Sequence, residues 1–318
     1  MASTLAFIFP GQGSQQLGML SELAERYAVV RATFEEASAA LGYDLWELVQ
    51  EGPAEQLNQT DKTQPALLAA SVAIWRVWKE LEGARPEWVA GHSLGEYSAL
   101  VCSGALDFAD GLRLVRARGE FMQAAVPQGE GAMAAILGLD AEQVEKACAE
   151  AAEGDVVQAV NYNAPGQIVI AGSVAAVDRA IAACQAAGAR KAMPLPVSVP
   201  SHCELMRPAA EQLAEELNRI QLKKPRVPVV QNVHAVPETE VAKLRDNLVA
   251  QLYRPVRWIE SIEFMAAQGV DTYIECGPGK VLVGLNKRIV KPAKSLAVND
   301  PDSVQAALEL LRNQQDAN

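Results

Sequence analysis

Gly91-His92-Ser93-Leu94-Gly95 is a G-x-S-x-G pentapeptide, the chain's clearest chemical signal: a serine hydroxyl placed to act as a nucleophile. An apolar strand signal at 87–90 precedes it and a helix-like run at 96–103 follows it. A strand that turns sharply into a helix crowds its own backbone, so small residues are needed two before and two after the serine. Such a turn lifts the hydroxyl out of the sheet, and the helix N-terminus beneath it favours developing negative charge. A chance match in a glycine-containing turn is the bland alternative, and the flanking strand and helix weigh against it.

A serine hydroxyl needs a base to become an effective nucleophile. The chain has three histidines, His92, His202 and His234. His92 adjoins Ser93 within the turn, so its side chain is expected to diverge from the hydroxyl. His234 falls in a polar loop after a strand signal at 227–230, an ordinary place for a solvated histidine. His202 lies in Pro200-Ser201-His202-Cys203, where a loop opens a helix, and elimination makes it the base. Cys203 beside it raises a cysteine-nucleophile alternative, which would need a base of its own. Several acids lie between Ser93 and His202, but none sits at a recognisable strand end to complete a triad.

Arg118 is the third candidate. Leu114, Val115, Arg118, Phe121, Met122 and Ala125 form one continuous stripe of a helix, with Arg113 and Arg116 on other faces. An arginine among apolar residues needs a partner, because an uncompensated buried charge costs several kcal/mol. No acid shares the stripe, which leaves a distant acid, a side chain that reaches back to water, or an anionic ligand.

The elements that must hold these residues follow from hydrophobic patterning. Leu5–Phe9 is an apolar run broken by Pro10-Gly11, a buried strand ending in a turn, and helical patterns follow at 15–41 and 64–82. Helices between strands argue for a mostly parallel sheet covered on both faces. In the middle of the chain the pattern changes to strand 132–138, helix 141–152, strand 156–160, strand 167–171, helix 174–187 and strand 191–197. That β-α-β-β-α-β order is ferredoxin-like. Gly129-Glu130-Gly131 and the prolines at 194, 196 and 200 mark its limits. The expected organisation is a discontinuous α/β core, 1–128 and 198–318, with a subdomain at 129–197 inserted into it. Further core strands are expected at 227–230 and 272–275.

Composition sets the class. The chain has 318 residues, 50% of them hydrophobic, enough for a packed core. No apolar run approaches the ~20 residues of a membrane span, and the N-terminus lacks the basic and apolar regions of a secretory leader. Five scattered cysteines without a CxxC pair, and so few histidines, give no metal-ligand spacing and point to a reduced, cytoplasmic compartment. A net charge of −11 disfavours nucleic acid and anionic membrane as partners. It also repels acidic proteins.

FPGQGSQ (9–15), GHSLGEYSAL (91–100), RARGEFMQ (116–123), NYNAPGQ (161–167), PVSVPSHCELM (196–206), QLYRPVRW (251–258) and ECGPGKVL (275–282) run from end to end of the chain. In this order and spacing they resemble the malonyl-CoA:acyl carrier protein transacylases of fatty acid synthesis. The resemblance implies a hydrolase-like core with a ferredoxin-like insertion, no permanently bound cofactor, malonyl-CoA as substrate and acyl carrier protein as partner. It further implies that Ser93 attacks the malonyl thioester and His202 takes its proton. Gln12 and Leu94 would offer backbone N–H groups to the oxyanion, with Gly11 and Gly13 letting the loop backbone come close. A backbone carbonyl at Gln251 would orient His202 in place of an acid, and Arg118 would bind the malonyl carboxylate. One departure stands out: related modular acyltransferases carry His-Ala-Phe-His or Tyr-Ala-Ser-His where this chain has Val199-Pro200-Ser201-His202. That tetrad leaves discrimination against methylmalonyl groups open.

Between Glu275 and Asp300 there is no acid, while Lys280, Lys287, Arg288, Lys291 and Lys294 all occur. If that segment is helical, Lys280, Lys287 and Lys291 share one face. This is a landing surface for an acidic carrier protein or, equally, a solvated helix face. Three other readings remain: a serine esterase or thioesterase, a non-catalytic carrier-docking protein, and a dinucleotide-binding oxidoreductase. Gly11-Gln12-Gly13-Ser14-Gln15-Gln16 lacks the third glycine that the last would need.

Overall fold

The computed structural model describes residues 4–197 and 199–316. Met1 to Ser3, over which no leader is read, and Ser198, where the second core segment is expected to begin, lie outside the described residues.

The first strand, β1 (Thr4–Phe9), is buried from Leu5 onward on both faces, as an unbroken apolar run demands. It is the middle strand of a five-stranded sheet. On one side lie β2 (Trp88–Gly91) and then β7 (Val229–Val230), on the other β8 (Val270–Cys276) and then β9 (Lys294–Val298), all parallel. The register aligns Phe9 with Gly91, Ala90 with Val230 and Ile8 with Glu275. The carboxyl ends of β1, β2 and β7 therefore open on one edge, where the order of connections reverses on either side of β1. That edge is where open α/β sheets place ligands.

The middle of the chain forms a second sheet from β3 (Gly131–Leu137), β4 (Val157–Ala164), β5 (Gln167–Ser173) and β6 (Lys191–Pro194). Its order is β4-β5-β3-β6, antiparallel throughout, as a ferredoxin-like unit requires. The helices Ala141–Ala152 and Val174–Ala186 cover one face, over Ile136, Ile168 and Ile170. The other face presents Met133, Val160, Val169 and Ala171 to Cys203 of the larger unit. Tyr162 N–H to Val256 O (3.0 Å) and Val256 N–H to Val160 O (2.8 Å) stitch β4 to the core. The fold is α/β, a parallel-sheet core with an inserted antiparallel sheet.

Several elements differ from expectation for local reasons. The pattern at 15–41 breaks at Tyr27, which is extended (φ −127°, ψ 109°), into helices Ser21–Arg26 and Ala28–Leu41. The helix expected at 64–82 starts earlier and spans Thr60–Glu80, with Pro65 inside it. Pro65 is accommodated inside the helix, where burial of every residue from Thr63 to Ile74 offsets the hydrogen bond that its ring cannot donate. β4 continues to Ala164 through two register shifts, whereas β6 stops at Pro194, one of two closely spaced prolines that cannot donate to a ladder. The edge strand β9, mostly half-exposed, has no sequence expectation at all.

Candidate active site

The pentapeptide folds as its composition requires. A Cβ on Gly91 would lie 1.9 Å from the carbonyl of Gly95, and one on Gly95 would lie 2.0 Å from Phe9 O. Nothing larger than hydrogen fits at either place. Ser93 is thereby held at φ 52°, a left-handed conformation that L-residues adopt at a cost. Asn232, two residues past β7, clamps the turn: its Oδ1 accepts from Ser93 N–H (2.8 Å) and its Nδ2 donates to Gly91 O (2.6 Å).

Gly11 approaches the same turn so closely that a Cβ there would lie 2.5 Å from His92 O. Gly13 serves differently from expectation. Nothing crowds it, and its φ of 104° is what calls for glycine. The loop between them brings Gln12 to the wall of a cavity of about 240 Å3 that Ser93, Leu94, Arg118, Met133 and His202 also line. A larger cavity of about 900 Å3 lies beside the segments leading into β2 and β7, between Arg76, Cys102 and Arg226. None of the reacting groups touches it, so the chemistry selects the smaller space.

Ser93 Oγ is 2.7 Å from His202 Nε2, and His202 Nδ1 is 2.6 Å from the backbone oxygen of Gln251. A carbonyl only accepts, so Nδ1 carries the proton and Nε2 turns its lone pair to the serine. Burial, reinforced by the nearby Arg118 charge, pushes His202 down from 6.5 to about 3. The imidazole is thus neutral across the physiological range, the state a general base needs. His202 is itself at φ 66°, its N–H bonded to Leu252 O at 2.9 Å. His92 points away, its Nε2 2.7 Å from Asn163 Oδ1, and His234 is exposed. The Cys203 thiol is buried, donates to Pro200 O, and burial raises it to about 12, which leaves it a poor nucleophile.

Arg118 is 1% exposed on the helix Phe108–Ala125, so it does not reach back to water. Its Nη1 donates to Gln64 Oε1 (2.7 Å), and its Nη2 to Gln251 Oε1 (3.0 Å) and Ser93 Oγ (3.3 Å). The guanidinium carbon stands 5.3 Å from the centre of the Tyr97 ring. Every acceptor is neutral, and among the described residues no carboxylate lies within ion-pair distance of it. The site therefore joins a serine, a neutral base and an under-compensated buried cation.

The sequence as a whole matches known proteins. The acyl transferase domain family model covers residues 6–318. The chain belongs to the acyl transferase family. Its relatives in that family include the malonyl CoA-acyl carrier protein transacylase of Escherichia coli strain K12, 63% identical over 305 residues, covering 96% of this chain and 99% of that protein. The transacylase of Bacillus subtilis strain 168 is 49% identical over 315 residues, covering 99% of each. Among solved structures, the malonyl CoA-acyl carrier protein transacylase of Coxiella burnetii superposes with a TM-score of 0.97 at 50% identity, covering 98% of each chain. A malonyl-transacylase in complex with its type II PKS acyl-carrier protein superposes at 0.96 with 58% identity, covering 97% of this chain and 100% of that one.

Within this acyl transferase the structure brings Gln12, Ser93, Leu94, Arg118, His202 and Gln251 together and keeps the cationic segment apart. The helix there spans only Val281–Ile289. Pro278 and Gly279 (φ 78°) form a turn before it, Lys280 is non-helical (φ −150°), and Lys291 follows the helix end, so the expected common face of Lys280, Lys287 and Lys291 does not form. Arg288 is occupied by Gln167 and by Pro165 O (2.7 Å). Sequence reasoning missed Gln64, Glu96, Asn163 and Asn232. Glu96 and Asn163 lie within the motifs GHSLGEYSAL and NYNAPGQ but were given no role, and Asn232 stands two residues past the carboxyl end of a core strand.

Proposed function

We propose that this acyl transferase moves a malonyl group from malonyl-CoA to the phosphopantetheine thiol of an acyl carrier protein through a malonyl-Ser93 intermediate. The observation that carries this reading is the meeting of the Ser93–His202–Gln251 chain with a buried arginine whose partners are all neutral. The names of the relatives agree with it.

His202 Nε2 takes the proton as Ser93 Oγ attacks the thioester carbonyl. Gln12 and Leu94 line the cavity, and this reading assigns their N–H groups to the oxygen that becomes negative, with the N-terminus of helix Gly95–Cys102 adding its dipole. Collapse breaks the C–S bond, and the imidazolium returns the proton to the CoA sulfur. In the second half-reaction the carrier thiol gives its proton to His202 and attacks the malonyl ester; the ester C–O bond breaks, and the imidazolium returns the proton to Ser93 Oγ. Arg118 holds the malonyl carboxylate with its planar fork, supplying the charge its neutral partners lack.

The core segments 1–128 and 198–318 carry this chemistry, and the unit 129–197 closes over it. Exposed Lys287, on the same segment as the exposed Lys280 and Lys291 but without a common helix face, is the surface this reading assigns to an acidic carrier. No described helix is long and apolar enough to cross a membrane, in keeping with a cytoplasmic enzyme. The deciding experiment is a rapid-mix assay with malonyl-CoA alone, then with carrier protein. A stoichiometric burst of CoA with the adduct on the Ser93 peptide, turning over only when carrier is added, is expected. Steady hydrolysis without carrier would make the protein a thioesterase instead.

A further inference from the structure

Glu96 stands in the first turn of helix Gly95–Cys102, three residues past the nucleophile, and is completely buried. The chemistry above does not use it. A buried carboxyl group is costly unless hydrogen-bonded, and the bonds Glu96 makes lead to the reacting groups. Its Oε2 accepts from Asn232 N–H and from Gln251 Nε2, each at 3.0 Å. Asn232 clamps the nucleophile turn. The backbone of Gln251 holds His202, and its side chain holds Arg118.

The side-chain amide of Gln251 is the informative part. Its Nε2 faces three acceptors: Ser93 O (3.0 Å), Glu96 Oε2 (3.0 Å) and Asn232 Oδ1 (3.2 Å). Turned over, the amide would set its oxygen against three other oxygens and its NH2 against a guanidinium. Only one orientation is possible, and it sends Oε1 to Arg118 Nη2. Of the three acceptors, only Glu96 can carry charge, so it holds the amide most strongly.

We propose that Glu96 is a positioning residue for acyl-group selection: by locking the Gln251 amide, it aims the Arg118 guanidinium at the incoming acyl carboxylate. This rests on the reading of Arg118 as the carboxylate site. Burial pulls the Glu96 carboxyl up to about 7, while Asn232, Gln251 and Arg118 favour its charged form, consistent with a group held in place by these partners.

The test is the ratio of kcat/KM for malonyl-CoA over acetyl-CoA in wild type, Arg118→Ala, Glu96→Ala, Glu96→Gln and Gln251→Met. Glu96→Ala removes the one acceptor that can carry charge, leaves the amide on Ser93 O and Asn232 Oδ1 alone, and should lower the ratio about tenfold or more, the range of a hydrogen bond to a charged group. Glu96→Gln can present an amide oxygen where Oε2 stood and should keep the ratio within about threefold of wild type. Gln251→Met leaves the backbone carbonyl on His202 and removes only the side-chain amide. It should match Glu96→Ala, and it carries the test if Glu96→Ala does not fold. Equal losses for both thioesters in Glu96→Ala and Gln251→Met would overturn the proposal, as would a ratio in Glu96→Gln as low as in Glu96→Ala. If Arg118→Ala keeps the malonyl preference, the carboxylate site itself is wrong and this proposal falls with it. An altered ratio in Arg118→Ala beside an unaltered one in Glu96→Ala refutes the positioning role alone.

Discussion

The parallel sheet of the core and the antiparallel sheet of the insertion treat polar groups differently. Arg118, His202, Gln251, Glu96, Asn232 and Gln64 are all buried in the larger unit, whereas Asn163 is the one polar residue of the smaller sheet among the described buried ones. In β1 both faces are covered, and the strands end at an edge where buried backbone and side-chain groups must bond one another. In β4, buried and half-exposed positions are interspersed, and its inner face is apolar. The difference teaches that one unit supplies chemistry and the other supplies shape: the insertion walls the cavity with Met133 and Leu195 but places no charged group there.

That division is open to experiment, beginning with the core. Ser93→Ala should abolish acyl transfer and the covalent adduct, as judged by mass spectrometry after brief exposure to malonyl-CoA. An adduct on the Cys203 peptide would reassign the nucleophile. His202→Ala should cost about 10²–10⁴-fold in the acylation rate, while His234→Ala should leave it unchanged. In the wild type, His202 is pushed down to about 3, so it should contribute no acid limb near 6.5 to the acylation rate, and a change near 7 would report Glu96, whose carboxyl is raised by burial to about 7. The sign for stability follows. A histidine that resists protonation when folded contributes fully above 6.5, and that contribution is lost as pH falls from there towards 3.

Arg118→Ala should lower the malonyl-to-acetyl ratio of kcat/KM by about tenfold or more while Ser93 stays reactive, with Arg118→Lys restoring part of it. A smaller effect is expected from the insertion. Asn163→Ala removes the acceptor of His92, and kcat/KM for malonyl-CoA should fall only about three- to tenfold. A loss as large as that of His202→Ala would end the division between chemistry and shape. Smallest of all, Lys287→Glu should raise the KM for carrier protein a few-fold (~1 kcal/mol or less, as for exposed charges) and leave that for malonyl-CoA unchanged.

Much of this was legible in the sequence because it is local. The glycines around Ser93, the strand before it and the helix after it are neighbours along the chain, and the helix at 141–152 starts and stops as its pattern predicts. The stripe through Arg118 foretold burial. What escaped is long-range: Glu96 meets Asn232 and Gln251 across more than a hundred residues, and no periodicity signals a polar residue that becomes buried only when distant strands align. The helix limits around Lys280 and Lys291 escaped for the opposite reason. Two residues of turn geometry at each end outweigh a charge pattern that looks continuous on paper.

Ser93 at φ 52° and His202 at φ 66° share a backbone conformation in which any side chain beyond Cα is a liability, of the order of 1 kcal/mol each. Glycine would relieve both positions and erase the enzyme. Selection for heat tolerance alone, without a demand for turnover, should therefore drift towards glycine at Ser93, whereas at His202 the packing and hydrogen bonds of the buried imidazole outweigh the relief. Leu20, Glu82, Glu153 and Ala235 carry the same backbone strain, but only at Ser93 and His202 does it fall on the two side chains proposed to react.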